Sequence, residues 1–362
     1  MKYQLKTRQI CFLFIALMPI TKLFSLPSIL AKTANEDMWI CALLNLILDL
    51  ITLAFISLIC QRTQKTFFEL LQNAFGRVGS KIIFGFYALY FLLKCFIPLQ
   101  EQEEFVKLSL YINIPTDLFF LPFYLVSFLL CLKPLRVFGR IADIVWVPSV
   151  VGYALLIFLS ISNVDWSALL PVGAQGIQRV GLGSYKSFNW WGDCVYLLFF
   201  LGNFKQGKHS TNKIMLSYLI GGAMVIFAMV FFWGTFTSIA HRQRFAMTEL
   251  SKYTTVINNI GRFDYVGILF ILFSSLFSLA LPIYFANVCI QQIFNPKINW
   301  ICPFVVNTTI AILMLTLNQY NISLFSFFEN VASPFFFIMS NALPILALFL
   351  TMKRRNNENA KA

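Results

Sequence analysis

The chain has 362 residues, of which 59% are hydrophobic, 17% aromatic and only 12% charged, with a mean hydropathy of +0.74, whereas soluble proteins carry about 25% charged residues. That composition excludes a soluble enzyme and specifies an integral membrane protein. A net charge of +13 would suit a nucleic-acid protein, but no nucleic-acid module is recognisable and the basic residues follow a topological pattern instead.

Apolar segments near the length that a hydrocarbon core of about 30 Å requires are read at 10–31, 38–60, 82–111, 118–132, 141–161, 188–204, 214–238, 265–294, 300–317 and 331–352. With the N-terminus inside, eighteen of the 28 Lys and Arg residues fall at cytoplasmic ends and eight outside, while Lys22 and Lys94 lie within spans. This bias places both termini in the cytoplasm, and the basic surplus attracts anionic headgroups. The N-terminal basic residues precede an apolar run as in a signal peptide, but no small-x-small cleavage pattern follows, so the run is read as a retained first span. Most of the eight cysteines sit inside spans without C-x-x-C spacing, so disulfides and metal sites are not expected. His209 and His241 fall on opposite sides, and Gly181-Leu182-Gly183 lacks the context of a nucleotide loop. Neither a catalytic arrangement nor a cofactor is expected.

The first span is interrupted. Pro19 is followed by Thr21, Lys22, Leu23, Phe24 and Ser25, after which Leu26 and Pro27 open a second short helix with Ser25 as N-cap. An ammonium near mid-membrane costs at least about 2.5–3.5 kcal/mol, so Lys22 either has a partner or faces water; the alternative is a lysine snorkelling to an interface. In the second span Asn45 and Asp49 share a face, and an acid that deep calls for a cation, with Lys22 and Lys94 as candidates. The loop 61–80 carries an amphipathic stretch, Phe67 to Phe75, suited to the cytoplasmic interface. In the third span Lys94, Glu101 and Glu104 recur at helical spacing, and Pro98 removes the hydrogen bond to the Lys94 carbonyl. These acids, with Glu103 and Lys107, read equally as a solvated outer helix end. Arg136, Arg140 and Asp143 line one face at the start of the fifth span, where an intrahelical ion pair competes with a relay role.

The loops 163–187 and 240–263 fall outside and mix apolar with polar residues as re-entrant caps do; the second contains a helical run from Thr248 to Ile260. The sixth span begins Asn189, Trp190, Trp191, Gly192, Asp193, Cys194, with a glycine free to leave helical angles and an acid open to a cationic partner. An interfacial carboxylate is the competing reading of Asp193, and the tryptophans fit interfacial anchors. In the eighth span Ser274, Ser275, Ser278, Tyr284 and Asn287 either line a pathway or bond their own helix.

Five spans within 10–161 and five within 188–352 begin on opposite sides, so equivalent helices run antiparallel. An all-α membrane domain of ten helices follows, a 5+5 inverted repeat with helices 1 and 6 broken and a cytoplasmic tail at 353–362. Proteins built this way bind their substrate at the paired breaks near the midplane.

The order of motifs resembles the B subunit of spore germinant receptors, the GerAB-like branch of the amino acid, polyamine and organocation transporter superfamily. The resemblance runs from about Thr7 to Arg355. It rests on Leu26-Pro27-Ser28-Ile29-Leu30 followed by Trp39, Leu169-Leu170-Pro171-Val172 with Gly176-Ile177, Gly192-Asp193, and Arg262-Phe263-Asp264 opening the eighth span. It implies a leucine-transporter-like fold in the inner membrane of a spore former. It also implies an A-type membrane subunit and a C-type lipoprotein as partners, and a small amino acid or amine as ligand. The chain departs from the family at its first break, where Ile20-Thr21-Lys22 replaces the usual Gly-x-Gly.

The residues and the resemblance together set out three functions. The first is a germinant-sensing subunit whose ligand contacts Thr21, Lys22, Leu23, Phe24, Ser25, Gly192, Asp193, Cys194, Ser274 and Ser278. The second is a proton-coupled amino acid or amine transporter with Asp49, Asp193 or Glu104 as the titrating group and Asp49, Lys94, Glu101, Glu104 and Asp143 as relay candidates. The third is a degenerate scaffold in which a Lys22 to Asp193 pair holds the site shut.

Overall fold

The computed structural model describes residues 5–109, 116–204, 206–207, 209–243, 245–246, 249–250, 264–296, 298–317, 326–347 and 349. Among them the chain is helical throughout, with one isolated β-bridge between Leu5 and Phe204. The run expected at Thr248 to Ile260 lies outside the described residues apart from Glu249 and Leu250, which are helical. The basic tail and the Arg262-Phe263 part of the motif also lie outside them.

The first apolar segment forms two helices, α1 (Thr7–Lys22) and α2 (Leu26–Ala34), separated at Leu23 to Ser25. Pro27 occupies the first turn of α2, where a missing N–H costs nothing. Ser25 stands at the N-cap position without capping, because its hydroxyl is used elsewhere. A three-residue 3-10 turn, Asn35–Asp37, joins α2 to α3 (Met38–Arg62). Next comes α4 (Phe67–Ser109), bent at Gly76, whose φ of 73° is left-handed, so the amphipathic stretch at 67–75 leads into the third span at an angle.

After α5 (Thr116–Cys131) and α6 (Arg136–Ser160) the chain passes through two 3-10 turns. There Asp165 is fully exposed, and hydrogen bonds from the Ser167 hydroxyl and amide hold its carboxyl below the usual carboxylate range. Such a depressed group contributes to the loop at neutral pH, and the contribution fades as pH falls through its lowered pKa. The sixth segment, expected as a broken helix at 188–204, is helical there only over five residues. It consists of α7 (Gly176–Lys186), a turn through 187–194, and the five-residue α8 (Val195–Phe199) followed by further turns. Gly192 at φ 85° cannot continue a helix, which explains the interruption.

The remaining segments follow the expected spans: α9 (Ser210–Phe236), α10 (Asp264–Phe294), α11 (Ile301–Leu317) and α12 (Phe328–Ala347), the last containing two π-helical turns. Six helical stretches among the described residues are long and apolar enough to cross a membrane, and two shorter apolar helices accompany them. Leucine, isoleucine and phenylalanine side chains such as Leu44, Ile51, Phe86, Leu129 and Phe273 stay exposed on their outer faces, as lipid-facing surfaces require. The interior is dense in aromatics, including a group of Phe67, Phe84, Tyr87, Phe91, Phe199 and Phe285 with ring centroids within 6.3 Å of a neighbour.

Helix α1 crosses α9 closely at Gly221, while the neighbouring Gly222 faces Leu46 of α3. A Cβ on Gly221 would sit 3.1 Å from Met18 Cβ and from the Phe14 carbonyl oxygen. Small residues at such crossings let backbones approach where lipid supplies no hydrophobic drive. Gly221→Val is therefore expected to destabilise the protein by about 1–3 kcal/mol through overpacking, seen as a lower melting temperature in detergent. Gly181→Ala, in α7 with nothing within 4 Å of the new methyl, is expected to stabilise slightly through helix propensity.

Candidate functional site

The two interruptions face each other, and Asp193 joins them. The Lys22 ammonium, the last residue of α1, bonds Asp193 Oδ2. Lys94 of α4 places its own ammonium 3.0 Å from Asp193 Oδ1. Lys22 and Asp193 are both 0% exposed, so the readings of a snorkelling lysine and an interfacial carboxylate are corrected. Both residues are carried past helical ends, α1 stopping at Lys22 and the sixth segment turning at Gly192 to Asp193, and so their side chains converge instead of pointing outward around separate cylinders. Lys22 also lies 5.2 Å over the Trp191 ring, a cation-π contact, and 3.4 Å from Thr21 Oγ1.

Unwound backbone in a membrane must find partners for its N–H and C=O groups. Lys94 donates to the carbonyls of Trp191 and, at 3.5 Å, Trp190. The Gly192 N–H donates to Asp49 Oδ2 at 2.9 Å, and the Gly192 carbonyl accepts from Tyr90 at 3.3 Å. Asp49 also accepts from the Tyr218 hydroxyl at 2.5 Å. The expected cationic partner of Asp49 is thereby corrected: its hydrogen bonds come from a backbone amide and a phenol. Gly192 is packed as well as twisted, since a Cβ there would meet Ser340 Cβ at 2.5 Å and Tyr90 Oη at 3.1 Å. Cys194 follows it, wholly buried, with its thiol 3.9 Å from the Ser340 carbonyl.

Further along α4, Glu101 accepts hydrogen bonds from the Ser25 hydroxyl and, at 3.1 Å, from Trp190 Nε1. Ser25 belongs to the first break and Trp190 to the sixth segment, so Glu101 is a second bridge between them. Gln100, Glu101, Gln102 and Glu103 are all buried, which corrects the reading of a solvated helix end. Glu104, one turn further along α4, is partly buried. The first break's own carbonyl at Phe24 is satisfied by the Ala246 N–H at 3.0 Å.

A small pocket of about 10 Å³ lies beside this cluster, lined by Thr21, Lys94, Pro98, Asn189, Trp190, Tyr196 and Ser278 among others. The kink-prone Pro98 thus lines the space rather than only bending α4. Ser274 and Ser278 donate to the carbonyls of Phe270 and Ser274, at 2.9 and 3.2 Å; Ser278 borders the cavity while its proton is committed to its own helix. Leu23 and Phe24 face a different pocket of about 20 Å³ with Pro19, Phe105 and Ile271. That space is apolar, because the Ser149 and Tyr153 hydroxyls at its wall already donate to the carbonyls of Ala16 and Met224.

Asp143 stands apart. It pairs with Arg8 at 3.1 Å and accepts from Gln9 Nε2 at 2.9 Å, tying α6 to α1. Thirteen residues separate Gln9 from Lys22, about 20 Å along a helix. The intrahelical pairing expected with Arg136 and Arg140 gives way to this bond between helices. Among the described residues no three His, Cys, Asp or Glu side chains converge as a metal site requires.

Sequence reasoning missed Tyr90 and Tyr218, the backbone-holding phenols, and Asn189. It also assigned Trp190 and Trp191 to the interface, whereas both are buried at the breaks. Their position next to Gly192-Asp193 was the available signal.

Compared with known protein families, residues 4–322 match the family of spore germination proteins called spore permeases. The chain belongs to that family. Comparison with curated sequences finds no match. Among solved structures, this spore permease is similar to the manganese transporter of Eremococcus coleocola in complex with an aromatic bis-isothiourea substituted compound. The TM-score is 0.56 at 12% identity, covering 94% of this chain and 78% of that one. Histidine-to-alanine and glutamate-to-glutamine mutants of the same transporter match at a TM-score of 0.54 with the same identity and coverage. At that identity the likeness concerns the fold: this member of the family is a transporter-like integral membrane protein.

The site predicts its own sensitivity. Breaking a buried ion pair from one side leaves an uncompensated charge worth about 3–5 kcal/mol. Asp193→Asn, which strands two ammoniums, is expected to lower stability by about that amount, whereas Lys22→Met, which leaves Lys94 with Asp193, costs less. Thermal unfolding of both variants in the same detergent measures the difference.

Proposed function

We propose that this spore permease is a membrane subunit of a nutrient-germinant receptor, binding a small amino acid or amine between its two helix breaks and passing the change to an A-type membrane subunit and a C-type lipoprotein. The observation that carries the reading is Asp193, held jointly by Lys22 of the first break and Lys94 of α4, in a family of germination proteins. A ligand entering beside Asp193 meets a place where both breaks and α4 are joined, so its binding energy is positioned to shift their arrangement. In this reading the chain is a 5+5 inverted repeat of ten spans, 10–161 and 188–352, with both termini in the cytoplasm and its place in the spore inner membrane; no catalysis is assigned to it.

A second reading is a proton-coupled amino acid or amine transporter. It is favoured by Asp49, a buried carboxylate bonded to the sixth segment's backbone and to Tyr218, where proton uptake would loosen the break. The third reading, a scaffold held shut, draws on the completeness of the Lys22 to Asp193 contact.

Spores whose chain carries Lys22→Ala and Asp193→Ala, with the protein shown to be present by immunoblot, are expected to need at least tenfold more germinant or to stop responding. An unchanged dose response rejects the assignment of those residues. Uptake driven by a pH gradient in liposomes of the purified protein would move the balance to transport.

A further inference from the structure

Two prolines meet at one small pocket. Pro98 of α4 and Pro282 of α10 both line the space of about 10 Å³ beside the ion cluster, and so do Lys94 and Ser278, each four residues before one of them. A proline has no N–H to return to the carbonyl one helical turn earlier. The Lys94 and Ser278 carbonyls, on two different helices, therefore both lack their usual helical donor at the same pocket.

Asn189 belongs to the same wall. It is 5% exposed, and among the described residues neither its Nδ2 nor its Oδ1 has a hydrogen-bond partner. Folded proteins seldom leave a buried amide in that condition, and where no protein group completes it an ordered water does. The other groups at the wall offer both donors and acceptors. Thr21 donates to the Leu17 carbonyl at 3.0 Å and accepts from Lys22 at 3.4 Å, which leaves one hydroxyl lone pair. Ser278 donates to the Ser274 carbonyl at 3.2 Å and keeps both of its own. The Tyr196 hydroxyl, also at the wall, both donates and accepts. Lys94 brings the charge, and its three donors are taken by Asp193 Oδ1 and the carbonyls of Trp190 and Trp191.

We infer that this pocket binds one water molecule as a fixed part of the site, and that Asn189 is the positioning residue that holds it. The space admits about one water, and such a water needs two to four polar partners, which this wall supplies in both senses. A metal cation of the same size would lie beside the Lys94 ammonium while Asp193 is already shared between two lysines and Asp49 between an amide and a phenol. Burying it without a counter-charge is costly. Water alone matches the room and the neutral groups. Held there, it joins Thr21 at the end of α1 to Asn189 in the turn before Gly192 and to Ser278 of α10. The two breaks then have a third link beside Asp193 and Glu101, made of solvent. This holds for a receptor and for a transporter alike, and stands whichever of the two the protein is.

A density map of the full-length protein, at a resolution that shows ordered solvent, is expected to place one water within hydrogen-bonding distance of Asn189 and of at least two among Thr21, Tyr196 and Ser278. In Asn189→Leu that water is expected to be gone. Thermal unfolding of Thr21→Val, Asn189→Leu and the double variant tests the link itself. Asn189 makes no direct hydrogen bond to Thr21, so a shared water is expected to make the double variant's fall in melting temperature smaller than the sum of the single ones. Additive falls, a map without water at Asn189, or a water that stays in Asn189→Leu overturns the inference. So does a melting temperature that is higher in sodium chloride than in choline chloride for the unaltered protein and equal in the two for Asn189→Leu, which would make the occupant a cation. If a variant fails to fold, the map and the sodium-to-choline comparison of the unaltered protein decide: a solvent peak with no salt preference supports water, and its absence or a sodium preference rejects it.

Discussion

One carboxylate between two ammoniums holds the centre of this molecule. Asp193 lies where the sixth segment has given up helical hydrogen bonding, and charged groups at such depth persist only in pairs or networks. Lys22 and Lys94 supply the pairing, and in doing so connect α1, α4 and the sixth segment. The backbone around it depends on the same residues: Lys94 covers the Trp190 and Trp191 carbonyls, while Asp49 and Tyr90 cover Gly192 from either side. Side chains from two helices, α3 and α4, thus do the work that a helical ladder does elsewhere. The unwound segments persist because their freed groups have been given partners.

The first break differs from the glycine-rich form that its family resemblance leads one to expect, and the structure shows what the change accomplishes. Bare backbone amides at a break are open to an incoming anion. Here a long side chain lies across the gap to Asp193 instead, with Trp191 beneath it. The charges that a transported ion or ammonium would balance are already balanced within the chain.

Periodicity and composition made the broad plan readable. The break at Leu23 to Ser25 follows from Pro19, Lys22 and Pro27 in one apolar run, and contact between Lys22 and Asp193 was an available pairing because each is costly alone. What could not be read was rotation. Asp49 was visible as a deep acid, but whether its face met Lys22, Lys94 or Tyr218 depends on how α3 turns against α9, and hydrophobicity around α3 is too even to say. Trp190 and Trp191 match interfacial anchors in composition, and only the turn at Gly192 carries them inward. The sixth segment looked like a span because its apolar content is high; that content belongs to turns buried inside the bundle, where hydropathy does not distinguish them from helix. Glu101 shows the same limit, since a carboxylate near a helix end reads as solvated until the neighbouring loops are seen to cover it.

The chain beyond the first break has no slack. Helix α2 passes into α3 through three residues, Asn35–Asp37, and the buried Asp37 carboxylate accepts the N–H groups of Gly173 at 2.7 Å and Gln175 at 2.9 Å on the approach to α7. Tilt of α2 is therefore transmitted in two directions: down α3 to Asp49, and across to the strand of chain that feeds the sixth segment. The two breaks are thus tied to each other by two lines of contact, through α3 and through Asp37, as well as by the charges between them.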